Sequence, residues 1–250
     1  MNKTTLTAAM SAIIIAGTAF AAPAQQDKDK EKEKIPTPKT PVLMIGDSMM
    51  KLLGHEMEKA FKKADIQPAV SFSSLGSGLV RPSAFDWPAK ITELLATNQP
   101  HTVFVCLGAN DRQPIELPGG GIVRYENANE WRTTYSQIIG GVMDQLIEGK
   151  VDRVIWMLLP DMRESVNQEH AKLVNEVVTE QAADEKRKDF VTLYDLGSAL
   201  SRRPGKYTQY MMSPTGQSLT VRDPDGVHLS VDGGKLVAQK VLKEFWDKDK

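Results

Sequence analysis

Five short apolar runs, each followed by a stretch with helical periodicity, restrict what this chain can become. The runs are Val42–Ile45, Ala69–Ser73, His101–Leu107, Arg153–Leu159 and Phe190–Tyr194. Helical patterns follow at Met50–Ala64, Ala89–Thr97, Glu130–Ile147, Val166–Lys186 and Val231–Trp246. In the first of these helices Leu53, Met57, Phe61 and Ala64 share one face. Strands that are apolar without alternation have both faces covered, and helices between them supply the cover. The expected fold is therefore α/β: a flavodoxin-like, doubly wound sheet of about five parallel strands with helices on both faces. Such sheets place their sites at the carboxyl ends of the strands.

The ends of the chain's 250 residues divide naturally from this pattern. Residues 1–21 read as a signal peptide: Lys3 precedes the apolar run Leu6–Phe20, and Ala19-Phe20-Ala21 or Ala22-Pro23-Ala24 fits a cleavage site. The run is short for a bilayer span of about 20 residues, so no stable membrane insertion is expected. Residues 22–41 form a tether, first Asp27–Lys34 with alternating charges and then the proline-rich Ile35–Pro41. Residues 42–250 form one domain. The leader implies export to the periplasm or the extracellular space. The formal net charge of −1 gives no field for nucleic acid. A single cysteine, Cys106, in the run Val103–Leu107 excludes an intrachain disulfide and reads as a buried core thiol.

Four loops carry the chemistry. Gly46-Asp47-Ser48 ends the first strand and opens a helix, so the Ser48 hydroxyl meets a helix N-terminus, although Ser and Asp are also ordinary caps there. The second strand runs into Gly76-Ser77-Gly78-Leu79-Val80-Arg81-Pro82, where glycine lets the backbone approach a ligand or simply turn. Gly108-Ala109-Asn110-Asp111 ends the third strand, and it is either an amide donor site or a turn. Before the last helix stands Asp223-Pro224-Asp225-Gly226-Val227-His228, a carboxylate three residues from an imidazole. A metal held by Asp223, Asp225 and His228 competes there, but no second histidine or thiolate accompanies it. Neither a metal nor another cofactor is expected.

In their order and placement these loops resemble the SGNH (GDSL-type) serine hydrolase superfamily over Val42 to about Trp246. The further runs Gly78–Pro82 leading to Phe85-Asp86-Trp87-Pro88, Gly108–Gln113, and Arg222 ahead of Asp225–His228 resemble an exported bacterial branch without assigned activity. The resemblance implies a serine esterase or acyltransferase. Ser48 is its nucleophile, His228 its base and Asp225 the orienting carboxylate. The N–H groups of Ser48 and Gly78 and the Asn110 amide form the oxyanion hole. Gly78 is preferred to Gly76 because it precedes Leu-Val-Arg-Pro. Arg81 and Arg112 are candidate substrate contacts, but with Arg222 they fit better as pins of the loops through carboxylates such as Asp86. Trp87 is expected to staple a helix start, His170, His55 and His101 to be structural, and Gly119–Gly121 to form a mobile tip in a long loop. The implied substrate is a small-acyl ester or acylated glycan. A transferase would also need an acyl donor at the membrane. A lipolytic esterase, a thioesterase and a catalytically silent polysaccharide-binding domain are the rival expectations.

Overall fold

A computed structural model describes residues 37–247 apart from Pro204 and Pro214, so the leader and most of the tether lie outside the described residues. The elements, in chain order, are β1 (Val42–Gly46), α1 (Ser48–Lys63), β2 (Ala69–Ser73), α2 (Trp87–Asn98), β3 (Thr102–Cys106), β4 (Ile115–Glu116), β5 (Ile122–Val123), α3 (Ala128–Glu148), β6 (Arg153–Leu158), α4 (Ser165–Ala182), β7 (Val191–Asp195), α5 (Leu196–Leu200), β8 (Tyr210–Met212), β9 (Ser218–Thr220) and α6 (Val231–Phe245).

Five strands pair in the order β2-β1-β3-β6-β7, and every pairing is parallel. This is the doubly wound α/β sheet that the sequence predicts. From β1 the chain first steps to β2 and then returns past β1 to β3, β6 and β7. The reversal point therefore lies between β1 and β3, where a doubly wound sheet opens a crevice. The register there sets Gly46 beside Cys106, so Ser48 and Asn110 leave adjacent strands at the same edge. Helix α1 packs with α6, and α3 packs with α2 and α4; crossovers of the usual right hand set two such groups on opposite faces of the sheet. The middle strands β1 and β3 are fully buried, whereas edge strand β2 is half-buried. Leu53, Met57 and Phe61 face the core as their spacing predicts; Ala64 instead lies one residue past the end of α1 and is exposed.

Several boundaries differ from the sequence expectation for local reasons. Helix α1 begins at Ser48, because the Asp47 carboxylate accepts the Met49 N–H and starts the turn early. Helix α4 stops at Ala182. After it the chain doubles back and Arg187 forks onto Asp144 of α3 (2.6 and 2.7 Å). The tether also ends sooner: Pro38 is buried, the Lys39 carbonyl accepts the Thr102 hydroxyl at 2.8 Å, and the Pro41 carbonyl accepts the His101 N–H at 2.9 Å. The loop around Gly119–Gly121 is a β4–β5 hairpin rather than an irregular segment, tied to the Gly78 loop by Glu116 N–H to Val80 O at 2.9 Å. A second hairpin, β8–β9, stands in the segment before Arg222. Among the described residues no helix is long and apolar enough to cross a membrane.

Candidate active site

Ser48 is the first residue of α1 and is half-buried at the carboxyl edge of β1. Its Oγ lies 2.7 Å from His228 Nε2, and His228 Nδ1 lies 2.6 Å from Asp225 Oδ2. A carboxylate only accepts, so Nδ1 carries the proton and Nε2 is free to accept the Ser48 hydroxyl. Asp225 Oδ1 accepts the N–H groups of Val227 (2.8 Å) and His228 (3.0 Å), so the four-residue loop positions its own acid. Burial pushes the Asp225 carboxyl up, but the His228 hydrogen bond, the two N–H groups and the imidazole charge outweigh it and hold it at about 2. Asp223 meets His228 through its backbone, donating its N–H to the His228 carbonyl at 2.9 Å. Among the described residues no group of three or more His, Cys, Asp or Glu is placed to hold a metal.

Facing the serine, the loops after β2 and β3 are sewn together. One Asn110 amide hydrogen goes to the Ser77 carbonyl at 2.9 Å, which leaves the second for a ligand. Asp111 is fully buried. Its Oδ1 accepts the Leu79 N–H at 2.7 Å and, more weakly, the Val80 N–H at 3.4 Å. Its Oδ2 accepts the Tyr135 hydroxyl of α3 at 2.9 Å. A Cβ on Gly78 would stand 2.0 Å from Asp111 Oδ1, so only glycine fits there. At Gly76 the demand is conformational instead: φ is +69° and nothing crowds a Cβ. Trp87 is buried and donates its indole N–H to Ser77 Oγ at 3.1 Å, tying the helix start to this loop. Two buried carboxyls sit beneath the site. Burial raises Asp47 to about 7, against the Met49 N–H and with help from the charge of Asp111. Burial likewise raises Asp111 to about 6, against its Tyr135, Leu79 and Val80 hydrogen bonds.

The arginines divide. Arg81 is exposed and reaches Glu116 (3.5 Å) and Gln113 (3.3 Å), while Asp86 instead caps α2 through the Ala89 N–H at 3.0 Å. Arg112 lies 5.4 Å over the Tyr125 ring. Arg222 is buried and its guanidinium turns to backbone carbonyls. A cavity of about 270 Å³ opens beside the Asp225–His228 pair, with Asn110, Leu159, Met162, Val227 and His170 also on its walls. Larger grooves of about 560 and 630 Å³ run between α3 and α4 and between α1 and α6, and neither contains a motif residue. His170 therefore borders the site, but its Nε2 donates to the Gly108 carbonyl at 2.9 Å and its Nδ1 accepts from Tyr125 at 3.4 Å. Burial lowers its pKa, opposed by the Gly108 bond and aided by the Arg112 charge, which leaves a neutral, fully engaged ring. The sequence does not mark Asp111, Tyr135 and Ser77 as site residues. The aspartate directly after Asn110 is the one local signal of them.

A family profile described as "Protein of unknown function (DUF459)" matches residues 41–244. No curated protein matches the chain in sequence. Among solved structures, the chain is similar to a lipase/acylhydrolase from Enterococcus faecalis (TM-score 0.54, 16% identity, covering 84% of this chain and 98% of that one). It is likewise similar to a member of the lipolytic G-D-S-L family from Veillonella parvula (0.53, 18%, 82% and 97%). A third likeness is to a family two carbohydrate esterase from Clostridium thermocellum (0.51, 14%, 86% and 65%). At such identities the likeness is one of fold.

Proposed function

We propose that this chain, which belongs to the DUF459 family and has the SGNH-hydrolase fold, is an exported serine esterase or acyltransferase that removes or transfers a small acyl group, acetyl first, on envelope or extracellular carbohydrate. The observation that carries the proposal is the unbroken line from Asp225 through His228 to Ser48, at 2.6 and 2.7 Å, facing an Asn110 amide with one hydrogen uncommitted to Ser77.

In this reading His228 takes the Ser48 proton as Oγ attacks the ester carbonyl. Asp225 fixes the tautomer and stabilises the imidazolium. The developing oxyanion meets Asn110 and the N–H groups of Gly78 and Ser48, the last at a helix start where no intrahelical partner exists. His228 then returns its proton to the leaving alcohol, and water or a sugar hydroxyl releases the acyl group. Fold neighbours that include a carbohydrate esterase support the ester class, and the leader Lys3–Ala21 supports export.

A serine-directed fluorophosphonate and an activated acetate ester test the proposal. Wild type is expected to label once and to turn over the ester. Ser48→Ala is expected to lose labelling and to keep at most the residual of about 10³–10⁴-fold over water left in related triads. An unlabelled wild type would favour a binding domain. A Ser48→Ala protein with near-normal turnover would remove the nucleophile.

A further inference from the structure

We propose that Arg222 is a positioning residue for the Asp225–His228 pair, a buried cation that holds the carboxylate through two intervening peptide groups without touching it. The consequence for turnover rests on the triad reading; the geometry does not.

Arg222 is one of the largest fully buried side chains. A buried cation is costly unless paired, yet among the described residues Arg222 forms no ion pair with a carboxylate. Its donors go to acceptors without formal charge. Nη1 reaches the Asp161 carbonyl at 2.6 Å. Nη2 reaches the carbonyls of Val227 (2.7 Å) and Gly226 (3.4 Å) and the Met162 sulfur at 3.5 Å. Nε reaches the His228 carbonyl at 3.3 Å. The Tyr207 ring lies 5.1 Å from the guanidinium carbon.

The peptides on either side of Val227 show what this achieves. In a trans peptide the C=O and N–H point in opposite directions. The carbonyls of Gly226 and Val227 point at Arg222, and the N–H groups of the same two peptide units, on Val227 and His228, point at Asp225 Oδ1 (2.8 and 3.0 Å). Cation, two aligned peptide dipoles and carboxylate thus form one polarised line, in which each bond strengthens the next. With Oδ1 fixed from behind, Oδ2 is presented to His228 Nδ1, the contact that decides which imidazole nitrogen faces Ser48.

The same guanidinium also joins two walls of the cavity. Asp161 and Met162 precede α4, and Val227 and His228 close the opposite side. Arg163 adds a second stitch, donating from Nη1 to the Pro224 carbonyl at 2.6 Å. A lysine would keep the charge but not the planar fork that reaches several carbonyls at once.

The test uses the full chain, ¹⁵N-labelled, as wild type, Arg222→Lys and Tyr207→Leu. The tautomer of neutral His228 is read from long-range ¹H–¹⁵N spectra at one alkaline pH, below the melting transition. Fluorophosphonate labelling and kcat and KM on an activated acetate ester are read alongside. Wild type is expected to hold the proton on Nδ1. Arg222→Lys is expected to show a mixture of tautomers and a kcat about 10–100-fold lower, the size of effect seen for the outer partners of metal-ligating histidines, with KM nearly unchanged. Tyr207→Leu, which keeps every Arg222 hydrogen bond, is expected to move both readouts the same way by less, and it carries the test if the lysine variant does not fold. A lowered melting point with wild-type tautomer and kcat in every folded variant overturns the proposal. If wild type neither labels nor turns over ester, the enzyme reading fails while the His228 tautomer still reports on Arg222.

Discussion

Asn110 illustrates how little latitude single residues have here. One amide hydrogen is fixed on Ser77, so the plane of the side chain, and with it the direction of the second hydrogen, is set before any substrate arrives. Asn110→Ala is expected to lower kcat about 10²–10³-fold with a smaller change in KM, the pattern of a donor that acts in the transition state. Asn110→Asp should be at least as damaging, since it turns a carboxylate toward the Ser77 carbonyl. A pure KM effect would make Asn110 a ground-state contact. Gly78→Ala would drive a methyl into Asp111. Its stability is expected to fall by an overpacking cost of about 1–3 kcal/mol, seen as a lower melting point, together with kcat; unchanged melting would mean the loop has room to yield. Ser48, Asn110, Asp225 and His228 were legible because each ends a strand or precedes a helix in a recognisable run. Asp111 with Tyr135, and Arg222 with Asp161, were not, because their partners lie 24 and 61 residues away and no local pattern announces them.

At the scale of elements, the start of α1 carries a tension between capping and burial. Asp47 caps the helix through Met49, yet it is fully buried near a second buried carboxyl, Asp111. Both titrate higher in the folded chain, at about 7 and about 6, than the 3.9 or so of an unfolded aspartate. The folded state therefore binds more protons between those values, and the stability these groups lend is full below about pH 4 and lost as pH rises toward 7. Asp47→Asn keeps an oxygen for Met49 but cannot ionise. It is expected to raise the melting point at pH 8 more than at pH 5, and equal differences at both pH values would show that Asp47 ionises normally. Asp225 has the opposite sign: its stabilisation is present above about pH 4 and is lost only as pH falls through about 2. The five sheet strands and the long helices were readable because apolar continuity and helical spacing persist over many residues. The hairpins β4–β5 and β8–β9 were not, since strands of two or three residues carry no period.

For the whole molecule, the doubly wound layout was legible in full, because alternating strand and helix with right-handed crossovers leaves few other arrangements. A serine mechanism asks for no ion, so prolonged chelation is expected to leave ester turnover intact; loss with recovery on adding a divalent metal would revive the Asp223–Asp225–His228 alternative. Ser48 meets the His228 imidazole 180 residues further along the chain, and α1 and α6 pack side by side. A chain made from its N-terminus carries Ser48 long before His228 exists. Through synthesis, and through any passage across a membrane as an unfolded thread, Ser48 is an ordinary alcohol without reactivity toward esters. Under the proposed esterase reading, Ser48 gains its His228 partner only when the segment ahead of α6 lies against α1, so the fold itself would keep the chemistry silent until then.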